Sequence, residues 1–400
     1  MIRHLAATLI LVLAAMSGAA QGQTALRSPE TGRDFWSVPR HGTNSFNKVE
    51  TPAHIQAAGA FGVGFLRMAF GKWQGTGRDF LAGDLDHYEG LQSADVAHLR
   101  ALLDAAALAG VPVMLTPLDL PGARWRQNND DRVDDRLWTD KTWWDVSARY
   151  WSDIAREFAG HPGLVGYNIL NEPVPELGHG PDETAATQDQ QDAWCAQVRG
   201  TARDLNGFYH QMVAAIRAVD PDTPIILDGG WYAKPTGVQC LTAIDDPHVL
   251  YAMHMYEPYR YTTGRLNGGR LSYPGVLPYA GREERWDADR VARHLQPMFD
   301  WADRQGVARN RIILGEFGGD RQVQGCAAYL TDVMAAAEAG GAHWAFYSFR
   351  EDVWDAMDYE LGDGPTPQGF YWAGRTQDLP RPVNPMSEAL RAGLARGRTD

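Results

Sequence analysis

The stretch LVGYNILNEP at residues 164–173 joins an apolar run to a polar pair, Asn171 and Glu172. A second stretch, RIILGEFGG at residues 311–319, has the same form and places Glu316 at the end of its apolar run. Continuously apolar runs are typical of parallel strands that are buried on both faces. A carboxylate at the end of such a strand needs a reason, because burying an unpaired charge is costly. We therefore expect a parallel sheet whose strand ends carry two functional carboxylates.

Eight such runs follow one another along the chain, and amphipathic helical patterns such as 94–110 and 143–160 lie between them. This alternation predicts an α/β fold of the (β/α)8 TIM-barrel type in a single domain. An open doubly wound sheet is the alternative, but no G-x-G-x-x-G follows an early strand. The runs lie near residues 38–44, 63–69, 111–117, 164–170, 224–229, 248–255, 311–316 and 342–348.

The composition limits the class of partner. The 400 residues include 50 acidic and 37 basic side chains, which gives a net charge of −13. Proteins that bind nucleic acids or anionic lipids usually carry basic patches, so neither is an expected partner. With 44% hydrophobic residues the chain can bury a large core. We expect a monomer that handles a neutral substrate.

The N-terminus has the pattern of a secretory signal peptide. A short basic segment (1–4) precedes twelve apolar residues (5–16) and a group of small residues that ends at Ala20. Twelve apolar residues are fewer than the ~20 that span a bilayer. The sequence thus predicts a signal peptide over residues 1–20, a catalytic domain over 21–400, and a secreted or periplasmic protein without a membrane span.

Three cysteines, Cys195, Cys240 and Cys326, fit an oxidising compartment that permits one disulfide. We expect the Cys195–Cys240 pair, because both residues lie in loop or helix-flanking segments, although spacing alone does not decide the pairing. Cys326 lies in an alanine-rich helical stretch and is expected to be a small buried side chain. No C-x-x-C or H-E-x-x-H occurs, and neither a metal nor a cofactor is expected.

Two carboxylates at one barrel mouth suit the hydrolysis of a glycosidic bond. One carboxyl group protonates the leaving oxygen, while the second attacks the anomeric carbon or activates water. Glu172 and Glu316 are 144 positions apart, so only the fold can bring them together. A separation of ~5–5.5 Å would predict retention of configuration, and ~6.5–9.5 Å would predict inversion.

These segments resemble glycoside hydrolase family 5, the cellulase-like group of retaining β-glycosidases on (β/α)8 barrels. Asn-Glu-Pro after the fourth strand and Gly-Glu-Phe-Gly after the seventh are similar to its motifs, and the resemblance covers roughly residues 35–350. Four further residues match the family in order: Asn44 on the first strand, Arg67 on the second, and His254 and Tyr256 on the sixth.

The resemblance implies a role for each matched residue. Glu172 would be the acid/base with a raised pKa, and Glu316 the nucleophile, kept ionised by Arg67. Asn171 would bond the 2-hydroxyl of the sugar, and Tyr256 would orient Glu316. His254 would line the pocket near the acid/base, and Asn44 and Arg67 are expected among the substrate-binding residues.

Two positions depart from the family pattern. Leu118 stands where the family usually has a histidine on the third strand, and the adjacent Asp119 could take over a polar role. Tyr347 stands where the family has a tryptophan under the cleaved sugar, with Trp344 as the alternative alignment. Both departures alter the first sugar subsite, so cellulose-type specificity does not follow.

Four long loops after the strands (119–142, 174–207, 257–290 and 349–375) would lie at the catalytic face of a barrel. Their tryptophans could stack on pyranose rings, although large aromatic side chains in loops serve equally often as packing residues. The candidate platforms are Trp125 and Trp138 in the third loop, Trp354 in the eighth loop and, outside these four loops, Trp231 after the fifth strand.

The sequence therefore predicts a retaining β-glycosidase that cleaves a β-linked glucan or mannan. Glycolipids and short β-glycosides remain alternative substrates. A non-catalytic carbohydrate-binding protein would have lost a carboxylate, and both are present. A metal-dependent barrel hydrolase would need three or more converging ligands, which the strand ends supply only singly.

Overall fold

A computed structural model of the chain describes residues 32–182, 184, 187–353, 356–365 and 376–397. The predicted signal peptide over residues 1–20 and the candidate platform Trp354 lie outside this part of the chain. No helix in the described ranges is long and apolar enough to cross a membrane.

Eight parallel strands close into a barrel in the order β1-β10-β9-β6-β5-β4-β3-β2. Each of the eight predicted runs overlaps one of these strands, which confirms the (β/α)8 prediction and excludes the open sheet. The strands are β1 (His41–Ser45), β2 (Leu66–Ala69), β3 (Val113–Thr116), β4 (Leu164–Asn168), β5 (Ile225–Asp228), β6 (Val249–Met255), β9 (Ile312–Phe317) and β10 (His343–Phe346).

Helices pack around the barrel between the strands. The last helix covers residues 385–396 and packs near the first strand. Asn384 caps its N-terminus by accepting hydrogen bonds from the amides of Met386 and Ser387. The longer helices are α2 (Pro52–Phe61), α3 (Ser93–Ala109), α4 (Thr142–Phe158), α5 (Gln188–Val198), α6 (Leu205–Arg217), α10 (Ala288–Gln305), α11 (Cys326–Ala339) and α12 (Pro385–Arg396). The four-residue helices are α1 (Gly32–Phe35), α7 (Gly230–Ala233), α8 (Tyr259–Thr262) and α9 (Gly264–Asn267).

The strands bury both faces, as their continuous apolar runs predict. One face of each strand packs under the helices, and the other fills the barrel interior with side chains such as Met114, Val165 and Ile226. Trp36 closes the bottom of this interior, where its Nε1 donates to the carbonyl of Val165 at 2.8 Å. The barrel is therefore a packed support for its rim and not a pore.

The segment 257–290, expected to be a loop, contains an antiparallel hairpin that the sequence interpretation missed. Its strands are β7 (Gly275–Tyr279) and β8 (Arg282–Trp286), and only Ala280 and Gly281 connect them. Both connecting residues have positive φ, +50° and +76°, which matches a type I′ turn. An X-Gly pair between two short strands is the signal that could have predicted the hairpin.

Cys195 and Cys240 form a disulfide, with their Cα atoms 5.0 Å apart, as the sequence predicted. The bond joins the helix α5 to a short 3-10 turn at Gly237–Cys240, after the fifth barrel strand. Cys326 is buried at the start of α11, which confirms the expected small core side chain. The disulfide thus ties the long loop 174–207 to the segment that follows β5.

Candidate active site

The two predicted carboxylates meet at the C-terminal mouth of the barrel. Glu172 follows β4 and Glu316 lies on β9, and β5 and β6 separate these strands in the ring. One oxygen of each carboxylate and one ring nitrogen of His254 all lie within 4.8 Å of one another. The side chains are 14% and 6% exposed. The separation is close to the ~5–5.5 Å of retaining sites and is shorter than the range of inverting ones.

Glu316 is held at both carboxylate oxygens. Arg67 donates to Oε1 at 2.6 Å, and the hydroxyl of Tyr256 donates to Oε2 at 2.7 Å. Burial raises the pKa of Glu316, while His254 and Arg67 act in the opposite direction. Arg67 does favour the ionised form of Glu316, as predicted, but burial acts against it. Desolvation outweighs the opposing effects of these two neighbours on the pKa of Glu316.

Glu172 and His254 are within hydrogen-bonding distance of each other. Nδ1 of His254 lies 2.8 Å from Oε1 of Glu172, and burial lowers the pKa of the imidazole, so that the ring is neutral. A neutral ring can donate from Nδ1 to the carboxylate or accept from a protonated Glu172 by exchanging its tautomer. His254 also lines the cavity, where the family resemblance placed it. The raised pKa of Glu172 stays a prediction.

Arg67 lies beneath the carboxylates and does not reach the cavity wall. It is 1% exposed, and its guanidinium donates to Glu316, Asn44 at 3.0 Å, Asn171 at 2.8 Å and Asn168 at 2.9 Å. It orients the residues around it and does not touch substrate itself, which corrects the expected substrate contact.

Asn44 also lies below the cavity. Its side chain is fully buried, accepts from Arg67 and donates to the carbonyl of Gly315 at 2.9 Å. Its backbone pairs with that of Arg67 across β1 and β2. The expectation of a sugar contact is therefore wrong for Asn44, because its hydrogen-bonding groups are already used. By contrast, Asn171 does line the cavity.

Asp228, at the end of β5, is a functional residue that the sequence interpretation missed. Its carboxylate accepts from Asn168 at 2.8 Å, from the amide of Glu172 at 3.1 Å and from Arg67 at 3.4 Å. PIILDG is an apolar run that ends in a carboxylate, so the rule applied to Glu172 and Glu316 would have found it. We call the following set the catalytic layer: Arg67, Asn171, Glu172, Asp228, His254, Tyr256 and Glu316.

Trp231 is a packing residue, contrary to its prediction as a sugar platform. It is 3% exposed and packs against Trp194 and Val198 on the disulfide-bonded helix α5. Its Nε1 donates to the carbonyl of Pro181 at 3.2 Å. The next residue, Tyr232, lines the cavity instead. Three successive residues of this loop, Trp231 to Ala233, adopt left-handed φ.

Asp119 supports a loop and does not enter the subsite. Its carboxylate accepts from the amide of Trp125 and from Nδ2 of Asn128, both at 2.6 Å. Burial raises the pKa of Asp119 to about 6. The expected replacement of a family histidine by Asp119 is therefore wrong, since Leu118 itself lines the cavity there. Trp125, the residue that Asp119 holds, lines the cavity, and its role as a sugar platform stays a prediction.

Tyr347 lies at the end of the eighth barrel strand and lines the cavity. Its hydroxyl donates to Oε2 of the buried Glu351 at 3.0 Å. Trp344, the alternative, is fully buried and stacks on His41 at 4.2 Å, away from the cavity. Of the two candidates, only Tyr347 lies where it could contact a sugar.

The cavity measures about 800 Å3 and is lined by more loop residues than the sequence indicated. Two of the four lysines in the chain, Lys72 and Lys234, lie on its wall. We call the following set the outer wall, none of which was predicted: Tyr232, Lys234, Glu257 and the hairpin residues Pro278, Tyr279, Ala280, Gly281, Arg282 and Glu283.

A closed (β/α)8 barrel with two close carboxylates at its mouth defines the class of retaining glycosidases. The chain matches the family Cellulase (glycosyl hydrolase family 5) over residues 28–352. It therefore belongs to this family, as the sequence resemblance indicated.

Similar proteins include two characterised relatives. A β-xylosidase of Phanerodontia chrysosporium is 25% identical over 226 residues, which are 55% of this chain and 38% of that protein. Endoglucanase H of Acetivibrio thermocellus is 24% identical over 169 residues, 42% of this chain and 14% of that protein. The chain thus spans much less than two thirds of the length of either relative.

Solved structures show the same fold. An endoglucanase of Pseudomonas stutzeri matches with a TM-score of 0.59 and 19% identity, over 90% of this chain and 95% of that one. At this identity the likeness establishes the architecture of the chain but not its substrate.

Proposed function

We propose that the protein is a retaining β-glycosidase that hydrolyses a β-linked glucan. The observation that carries the proposal is the approach of the Glu172 and Glu316 carboxylates to within 4.8 Å at the barrel mouth. That distance leaves no room for a water molecule between nucleophile and anomeric carbon, which inversion requires.

The reaction then runs in two displacements. Glu316 attacks the anomeric carbon while Glu172 gives its proton to the leaving oxygen, and the glycosidic bond breaks. Glu172, now ionised, takes a proton from water, and that water releases the sugar from Glu316. Tyr256 and Arg67 hold the nucleophile in place through both steps. Asn171 lies where it can bond the sugar hydroxyl next to the anomeric carbon.

We infer that the protein is exported. The signal-peptide pattern over residues 1–20 supports this, and the Cys195–Cys240 disulfide is consistent with an oxidising compartment. N-terminal sequencing of the protein from the culture medium or periplasm of its host would test it. Absence of the protein from both fractions would contradict export, and a chain that still begins at Met1 would contradict cleavage of the signal peptide.

A β-glucan is favoured as the substrate because the chain belongs to a cellulase family and resembles endoglucanases. A short β-xyloside is the second candidate, because the β-xylosidase is among its relatives. β-Mannan remains the third substrate to compare. The altered positions Leu118 and Tyr347 both line the cavity and distinguish this subsite from the usual family pattern.

The test is sugar release from β-glucan, β-mannan and xylan by the wild type and by Glu316→Ala. We expect release from one polymer and a loss of at least about a thousandfold in the variant. NMR of the first product should show the β-anomer, since two displacements retain configuration. An α-anomer, or more than about a thousandth of the activity in Glu316→Ala, would contradict the proposal.

Azide separates the roles of the two carboxylates. In Glu316→Ala, azide should enter from the side of the missing nucleophile and yield an α-glycosyl azide. In Glu172→Ala, it should attack the glycosyl-enzyme and yield the β-glycosyl azide. The opposite pairing of variants and products would exchange the two assignments.

A further inference from the structure

The two catalytic strands divide the barrel rim into two arcs. Between β4 and β9, the short arc consists of β5 and β6, and the long arc consists of β10, β1, β2 and β3. Tyr347, Phe46 and Leu118 line the cavity from the long arc. The outer wall lines it from the short arc, beside the acid/base Glu172. Lys72 and Trp125 also line the cavity from the long arc. The short arc adjoins Glu172, the group that would protonate the leaving oxygen.

The polar centre of the outer wall is an ion pair. Nζ of Lys234 lies 2.7 Å from Oε1 of Glu257, and the two side chains are 14% and 10% exposed. The other oxygen of Glu257 accepts the amide of Tyr259 at 2.8 Å. The pair is therefore oriented from the protein side and still borders the cavity.

An unusual backbone places this pair. Trp231, Tyr232 and Ala233 have φ of +48°, +57° and +55°, although none is glycine. Left-handed φ is unfavourable for residues other than glycine, and strained backbone is concentrated at functional sites. The buried carboxylate of Glu176 accepts the amide of Trp231 at 3.2 Å and supports the turn. The turn brings Tyr232 and Lys234 to the cavity.

The hairpin completes the wall from the other side. Tyr279 packs edge-on against the fully buried Trp286, with ring centroids 5.2 Å apart. The guanidinium of Arg290 lies over both rings and pairs with Glu284 at 3.0 Å. The turn is thus fixed by its own strands and by α10, so it presents Tyr279 as a preformed aromatic surface.

We propose that the outer wall is the leaving-group subsite and that it selects a carbohydrate leaving group over a lipid or aryl one. This inference rests on the proposed function. A sugar offers hydroxyl groups that donate to Glu257 and accept from Lys234, while its CH face packs on Tyr232 or Tyr279. An alkyl or aryl group would cover the ion pair without replacing its hydrogen bonds to water, which is unfavourable.

The test compares substrates that share a glycone and differ in the leaving group. Cellotriose is paired with 4-nitrophenyl β-cellobioside, and the β-1,4-mannan and xylan analogues are paired in the same way. Release of the reducing-end sugar or of nitrophenol is measured for the wild type and for Lys234→Met/Glu257→Gln. This double variant leaves no lone buried charge, so the fold should survive. Lys48→Met, which is exposed and outside the cavity lining, is the matched control.

We expect the double variant to lose about 10- to 100-fold in kcat/KM on the trisaccharide, because hydrogen bonds to charged groups are lost. On the nitrophenyl substrate it should lose no more than about threefold, because an aryl leaving group makes no hydrogen bonds to the pair, and Lys48→Met should stay within about threefold of the wild type on both. Equal losses on both substrates, or no loss on either, would overturn the assignment of the subsite. If the wild type hydrolyses neither member of any pair, the proposed function itself fails, and this inference fails with it.

Binding gives a second measurement that does not need turnover. In the Glu316→Ala background, calorimetry should show that the Lys234→Met/Glu257→Gln change weakens trisaccharide binding by about tenfold or more. Its effect on 4-nitrophenyl bioside binding should be less than about threefold. Equal weakening of the two ligands would place the ion pair on the glycone side and contradict the proposal.

Discussion

The catalytic layer and the outer wall line the same cavity, but they are held in different ways. In the catalytic layer, strand pairing itself aligns the side chains: His254 pairs with Glu316 across β6 and β9. The outer wall instead depends on a left-handed turn and a hairpin, both braced by loop packing. The barrel therefore determines where bond cleavage takes place, whereas its loops determine what fits around the bond.

The largest effect on the catalytic layer is expected from Arg67→Met. Its removal leaves Glu316 and Asp228 buried without their cation, which should lower the free energy of unfolding by about 3–5 kcal/mol. Activity should be lost as well. Urea unfolding and hydrolysis rates measure both effects. The exposed Arg270→Met is the control and should change stability by less than about 0.5 kcal/mol. A stable, inactive Arg67→Met would show that the network serves chemistry alone.

Trp231 and its neighbour Tyr232 offer the most direct comparison within the outer wall. Trp231→Ala removes a buried ring from the disulfide-linked cluster and should cost about 3–5 kcal/mol of stability. Tyr232→Ala should cost less than about 1 kcal/mol but raise KM by about fivefold through lost stacking. Thermal unfolding and steady-state kinetics separate the two. The reverse pattern would restore Trp231 as the sugar platform.

Tyr256→Phe changes the pH dependence of the catalytic layer. The nucleophile must be ionised, so activity falls as the pH drops through the pKa of Glu316. Burial has already raised that pKa, and the hydrogen bond from Tyr256 opposes the rise. Removing the hydroxyl should move the acidic limb of the kcat/KM profile to higher pH. A limb that stays in place, or moves to lower pH, would contradict the role of Tyr256.

The smallest effect is expected at the hairpin turn. Ala280 has φ of +50° in a type I′ turn, where Asn-Gly is the favoured pair. Ala280→Asn should therefore raise the free energy of unfolding by about 0.5 kcal/mol. The activity on nitrophenyl substrates should not change. Calorimetric unfolding checks the gain, and destabilisation would mean that the asparagine side chain is crowded at the cavity wall.

Much of the fold could be predicted because its signals are local. Each barrel strand is a continuous apolar run, and the two carboxylates are marked by their position at the ends of such runs. The hairpin was missed because a two-residue Ala-Gly turn is a weaker signal than Asn-Gly, and the flanking residues alternate only partly. Asp228 was missed although it obeyed the same rule as Glu316.

The site was predicted less well where side-chain direction decides the role. Asn44 and Arg67 lie on barrel strands, and the sequence does not reveal whether they reach the cavity or stop below it. Trp231 and Tyr232 are adjacent aromatics, so only the left-handed turn decides which one is buried. Asp119 was assigned to the sugar, but its oxygens are used by the amide of Trp125 and by Asn128.

The sequence by itself determined the barrel and the two carboxylates at strand ends, because apolar periodicity and strand-end charges are properties of short segments. The cysteine count permitted one disulfide, but the fold decided which two cysteines form it. Only the tertiary structure decided which polar residues form hydrogen bonds within the protein beneath the site and which line the cavity. It also built the outer wall from β5, β6 and the hairpin. These outcomes depend on contacts between segments far apart in the chain, and no local pattern encodes the packing that selects them.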